Sequence, residues 1–241
     1  MIGLGTIINT AGIIIAGVAG HFIGKLFKES HQQTMCTACG VSTIFIGIAG
    51  AMEGMLTIKD EKIVSTYSML VVVCIILGAL VGEIINFDGL FEKFAEWLKV
   101  KTGNAKDPKF VEGFITASLT VCIGAMAMVG SIQDGIKGDF SILLTKTILD
   151  VIIIIVMSST FGKGCAFSAL PVFVIQGTFT LLAVLIKPVM TDLALGYLSM
   201  IGSILISCVG INLIWGKKIK VANFIPSIIF AVIAAFIPIW D

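Results

Sequence analysis

Lys146 and Asp150 fall inside an apolar stretch, residues 140–161, where a charge is costly. An ionisable side chain at the centre of a bilayer costs about 2.5–3.5 kcal/mol on insertion scales. At spacing i, i+4 the two share one helix face, so ammonium and carboxylate can neutralise each other. Either member alone would cost more than the pair. Two readings follow. The pair is a structural ion pair near the interface, or it is a charge pair that a substrate or cation opens.

Other polar groups are sparse. Glu53 lies near the end of the stretch 35–57, and Glu83 near the end of 67–86. Each is either a titrating carboxylate or a boundary residue. Asp134 sits in the run Gln133-Asp134-Gly135-Ile136-Lys137-Gly138-Asp139, which reads as a tight external turn or as a polar vestibule whose carboxylates attract cations. Asn9, Gln176 and Asn212 are neutral amides that can bind a polar ligand or bridge two helices. Pro171 predicts an interruption just before Gln176 that would free backbone carbonyls for a ligand. His21, four residues before Lys25, reads as interfacial. The six cysteines include one isolated Cys36-x-x-Cys39 and read as packing residues. No residue set predicts a catalytic centre, a metal site or a cofactor.

These residues need a scaffold, and composition says which. Of 241 residues, 57% are hydrophobic and only 13% charged, against about 45–50% and 25% in soluble domains. That excludes a soluble globular, disordered or disulfide-framework protein. All 16 basic residues are lysines and the net charge is +1, which removes bidentate arginine recognition and any reason to expect nucleic acid.

A bilayer core takes roughly 20 helical residues to cross. The spans predicted are 2–24, 35–57, 67–86, 111–133, 140–161, 165–186, 193–215 and 224–240, an all-α polytopic membrane protein of about eight transmembrane helices. Lysines concentrate in the first, third, fifth and seventh connections, which the positive-inside rule places in the cytoplasm. Residues 1–241 read as one transmembrane domain. Residues 87–110 read as an amphipathic cytoplasmic connection between 1–86 and 111–241. There Leu90, Phe91, Phe94, Trp97 and Leu98 share a helix face.

Three stretches look alike: each carries small and hydroxyl residues, then an apolar–Gly step, at Gly47, Gly124 and Gly210. Spans 2–3 and 7–8 therefore read as copies of one unit. Their odd offset makes them inverted, the plan of many secondary transporters. Gly20-x-x-x-Gly24, Gly50-x-x-x-Gly54 and Gly78-x-x-x-Gly82 predict close helix packing or dimerisation.

Several segments together resemble a known family. They are Gly5-Thr6-Ile7-Ile8-Asn9, Leu77 through Glu83, Gly130 through Gly135, Lys146 through Asp150, Gly210-Ile211-Asn212-Leu213 and Val221-Ala222-Asn223. Over essentially its whole length the chain resembles the YqgA/YdfK-like bacterial inner-membrane proteins, classed as a domain of unknown function. The resemblance implies a multi-pass bacterial plasma-membrane protein and supplies no activity.

The functional expectation therefore rests on the residues: a secondary transporter of a small polar solute or cation, a homodimer in the lipid bilayer, and not an enzyme. Lys146, Asp150, Glu53, Asn9, Gln176, Asn212, Asp134 and Glu83 are the candidate binding residues. An oligomeric cation channel, or a membrane scaffold or sensor without transport, are the alternatives.

Overall fold

The computed structural model describes residues 2–59 and 61–237. Its helices are α1 (Leu4–Gly24), α2 (Glu29–Met55), α3 (Ser68–Ile85), α4 (Phe87–Lys101), α5 (Phe110–Cys122), α6 (Ala125–Lys137), α7 (Ser141–Phe161), α8 (Ala169–Leu181), α9 (Ala183–Ile186), α10 (Asp192–Trp215) and α11 (Pro226–Ala234). Two 3-10 segments, Gly162–Ser168 and Val221–Phe224, join them.

One strand pair interrupts the helical pattern. β1 (Leu56–Lys59) and β2 (Lys62–Ser65) form an antiparallel hairpin after α2, with Ile58 opposite Ile63. Their β-branched residues suit a pleated ribbon, and no strand was expected in this connection.

By length and apolar composition the described residues contain five helices able to cross a bilayer, or six if the bent pair α5/α6 is one span. Eight were expected, and the difference lies at 165–186 and 224–240. α8 has only 13 residues of its own, because the chain leaves α7 through a 3-10 turn opened by Gly162 at φ 80°. α11 is a 9-residue helix that starts at Pro226, where the fixed φ of proline suits a first helical position. The end of the eighth expected span, from Pro238 onward, lies outside the described residues. Pro171 does not break its helix. It sits in the first turn of α8, where proline is tolerated because its missing N–H has no intrahelical partner to lose.

Chain direction follows from which residues meet. Gly5 packs on Leu143 and Gly24 on Ser159, so α1 and α7 run parallel. Gly17 packs on Ala166, and Thr6 Oγ1 meets Thr180 Oγ1 at 3.3 Å, so α8 runs back against α1. α2 lies antiparallel to α10, with Gly40 on Gly210 and Gly54 on Met200. α3 lies antiparallel to α11, with Gly78 on Ser227 and Gly82 on Asn223. A methyl group at Gly82 would land on the Asn223 carbonyl, so this approach requires glycine. All three Gly-x-x-x-Gly faces are thus occupied within the chain.

α5 is threaded through the middle, with Phe110, Phe114, Ala117 and Val121 all buried. Half of the α10 apolar window is buried, against 22% for α2 and for α3. The latter two turn most of their apolar surface outward, as lipid-facing helices do. α4 lies at the end of the bundle that also carries the 162–168 turn, where Thr102 and Asn104 stand beside Lys163. Phe91, Ala95 and Leu98 face the protein, while Leu90, Phe94 and Trp97 are exposed.

Candidate functional site

The centre of the bundle is marked by a broken helix. α5 ends at Cys122 and α6 starts at Ala125, and the two axes are bent by 62°. Ile123 is extended, and Gly124 has φ 151° and ψ 146°. That backbone region is essentially confined to glycine. The last carbonyls of a helix have no intrahelical donor, and here this end lies inside the bundle. Val121 is 1% exposed.

Lys146 fills the need. Its ammonium donates to the Val121 carbonyl at 2.8 Å and to Asp150 Oδ2. A cation at a helix C-terminus also complements the helix dipole. Asn9 Nδ2 of α1 donates to the same Asp150 oxygen at 3.1 Å. Lys146, Asp150 and Asn9 are 6%, 4% and 0% exposed. Three helices and one backbone break therefore converge on a single neutralised charge pair.

Several polar atoms at this depth remain unused. Asn9 Oδ1, Ser118 Oγ and both amide atoms of Gln176 are buried without a hydrogen-bond partner. The Thr6–Thr180 bond fixes the register of α1 against α8. Asn9 and Gln176 each lie one turn from that bond in the same direction, so they share a level. Burying an amide unpaired costs about 1–3 kcal/mol, so this layer is polar beyond what its own bonds explain.

The remaining expected residues go elsewhere. Asp134 is wholly buried and accepts the Gly3 N–H at 3.2 Å and the Gly5 N–H at 3.0 Å. It closes the N-terminal end of α1, where a carboxylate is favoured. The external turn expected around Asp134 begins later, because α6 continues to Lys137 and stops at Gly138.

Glu83 pairs with Lys220 at 2.8 Å and accepts from Asn223 Nδ2, at the bundle end carrying α4. Asn212 donates to the Ile219 carbonyl at 2.7 Å and accepts from the Lys218 and Ile219 N–H groups, pinning the turn after α10. Glu53 is exposed near the end of α2. The structure thus brings together Lys146, Asp150 and Asn9, sets Gln176 at their level, and disperses Asp134, Glu83, Asn212 and Glu53.

A cleft of about 360 Å³ opens at the α4 end between α4, α5 and α10. Asp88, Glu92 and Glu112 line it with Lys217, and its inner wall reaches Leu119, two residues from Val121. Lys217 bonds both Asp88 and Glu92. Burial works against its charge, but those two bonds outweigh it and hold its pKa above the ordinary lysine value. Neither Asp88 nor Lys217 was expected from the sequence, since their partners lie over 120 residues away.

Among the described residues no group of three histidines, cysteines or carboxylates is placed to hold a metal ion.

Comparison with known proteins agrees over the full length. The uncharacterized membrane protein YdfK of Bacillus subtilis is 32% identical over 233 residues, covering 97% of this chain and 96% of that protein. The uncharacterized protein YqgA of Escherichia coli is 25% identical over 232 residues, covering 95% and 94%. No solved structure matches. The apolar helices and the named relative agree on a multi-pass membrane protein. Residues 4–236 match the family described as protein of unknown function DUF554, and the chain belongs to that family.

Proposed function

We propose that this chain is a secondary transporter of a small polar solute or cation in the bacterial plasma membrane, with the Lys146–Asp150 pair at its binding site. The observation that carries the reading is the interrupted α5/α6 helix, whose buried carbonyl end is held by a buried ammonium. Discontinuous helices with free backbone groups are where such transporters coordinate ions and substrates. Lys146 occupies a cluster of oxygen acceptors, Val121 O and Asp150 Oδ2, with the unpartnered Asn9 Oδ1 beside it. A cation entering that cluster would displace the tethered one. The cleft at the α4 end, richer in carboxylate than in ammonium, would concentrate cations at its mouth.

The reading includes eight crossings and an inverted repeat relating spans 2–3 to 7–8. Its support lies in reciprocal packing. Gly47 faces Ser203 and Ser207, while Gly210 faces Gly40 and Ile44. If Gly47 and Gly210 are counterparts, so are Gly40 and Ser203, and Ile44 and Ser207. Each glycine then packs on the counterparts of the residues that pack on the other, as a two-fold axis between antiparallel helices requires. A homodimer belongs to the reading too, with an interface away from the occupied glycine faces, and light scattering in detergent decides it.

The test is gradient-driven flux. Protein reconstituted into proteoliposomes is exposed to steps of sodium, potassium, ammonium and small amines, with and without an imposed pH gradient. Transport coupled to a proton or sodium gradient is expected. Uncoupled ohmic current would indicate a channel, and no flux of any probe would indicate a scaffold.

A further inference from the structure

A groove of about 620 Å³ runs between α1 and α8, away from the Lys146 site. Ile14, Val18 and Phe22 form one wall, and Phe167, Leu170 and Phe173 the other. From Thr10 to Phe22 it extends about 18 Å along α1 at roughly 1.5 Å per residue. That is close to the depth of one leaflet, half of a hydrocarbon core about 30 Å thick.

Its two ends differ. Toward Thr10 the walls are apolar. At the other end His21, Lys163, Thr102 and Asn104 line it. Lys25 stands there too, its ammonium 5.1 Å from the Phe22 ring. Both lysines act electrostatically on His21. Among the described residues neither forms a salt bridge. The nearby carboxylate, Asp107, acts on His21 in the opposite sense, but it is one negative charge against two ammonium groups, so the rim keeps an excess of positive charge.

We propose that this groove is a binding site for an anionic phospholipid, with one acyl chain between α1 and α8 and the phosphate at Lys163 and Lys25. An apolar trough of leaflet depth, ending in unpaired ammonium groups at the level where headgroups lie, matches both halves of such a lipid. A zwitterionic phospholipid satisfies the trough but carries its own cation to the rim. A second copy of this chain would have to bring a carboxylate to the rim.

Native mass spectrometry of the full chain in detergent tests the site, with phosphatidylglycerol and phosphatidylcholine of identical acyl chains as probes. The wild type should retain phosphatidylglycerol more strongly. Replacing both lysines, Lys25→Ala with Lys163→Ala, should lower that retention about 25-fold, roughly fivefold per lysine, and leave phosphatidylcholine unchanged. Leu170→Trp, which fills the trough, should remove both lipids. The melting temperature in the same detergent qualifies each variant, and Val18→Trp on the opposite wall replaces Leu170→Trp if that protein does not fold. Equal retention of the two lipids by the wild type, or undiminished phosphatidylglycerol on the double lysine variant, overturns the proposal. So does conversion of a dimer to a monomer by the filling variant, which would assign the groove to a second copy.

Discussion

The Lys146 ammonium donates to the Val121 carbonyl across 2.8 Å, and with that bond one helix closes the open end of another. α7 supplies the charge, α5 the carbonyl, and Asp150 the counter-charge one turn along α7. The bond ties the ion pair to the helix break. An event that draws Lys146 out of the pair also releases the α5 end.

Asp150→Asn should therefore be severely destabilising. It leaves a buried ammonium without its counter-charge, at a cost of about 3–5 kcal/mol. The double variant Lys146→Met with Asp150→Leu removes both charges at similar volume and should recover part of that loss, the remainder being the Val121 carbonyl and the Asn9 amide left without partners. Thermal melting in detergent reads both. Equal melting of Asp150→Asn and wild type would mean the pair is not buried in a dry site.

Gly124→Ala probes the break itself. Nothing stands within 4 Å of a methyl group there, so the cost is backbone strain alone, about 1–3 kcal/mol. Gly177→Ala in α8 is the control, since it also has open space but lies in a helix. It should be neutral or stabilising by up to about 1 kcal/mol. A lowered melting temperature for Gly124→Ala and none for Gly177→Ala is expected. A neutral Gly124→Ala would mean residue 124 does not hold its positive φ.

At the α4 end, Lys217 joins Asp88 and Glu92. Its pKa is raised in the folded state, so its contribution is fully present below the ordinary lysine value of 10.5 and is lost as pH rises through the higher folded value. The side chain is 44% exposed, which limits the contribution to about 0.5–1 kcal/mol. The melting difference between wild type and Lys217→Met should stay flat from neutral pH up to 10.5 and vanish above it. A difference that disappears already near neutral pH would contradict the raised pKa.

Topology is open to labelling. In a background without the six native cysteines, a cysteine at position 101 should be protected from impermeant maleimide in intact cells, and one at position 61, in the β hairpin, should react. The opposite pattern would invert the orientation taken from lysine placement.

How much of this was legible in the sequence varies by residue. The Lys146–Asp150 pair was, because i, i+4 spacing fixes a shared face whatever the tertiary context. The break at Gly124 was not. The stretch 111–133 has no proline, and Gly124 is one of 26 glycines, most of which mark packing rather than breaks. Proline drew the expectation to Pro171 instead, where the first helical turn absorbs it. Asp134 has turn-like neighbours, yet α6 runs through it because its carboxylate serves the start of α1, 129 residues earlier. The duties of Asn212 and Glu83 are set in the same way by tertiary partners that spacing does not reveal. The broad class was legible because an apolar surface this large can only face lipid. The helix lengths within the last spans were not, because α8 and α11 are shorter than the hydrophobic stretches that contain them.

The most direct test of the transport reading is flux through the double variant Lys146→Met with Asp150→Leu, reconstituted beside the wild type after both are shown to melt cooperatively. Gradient-coupled flux in the wild type and its loss in the folded double variant is the predicted result. Equal coupled flux in the two proteins would remove Lys146 and Asp150 from the transport site and contradict the account.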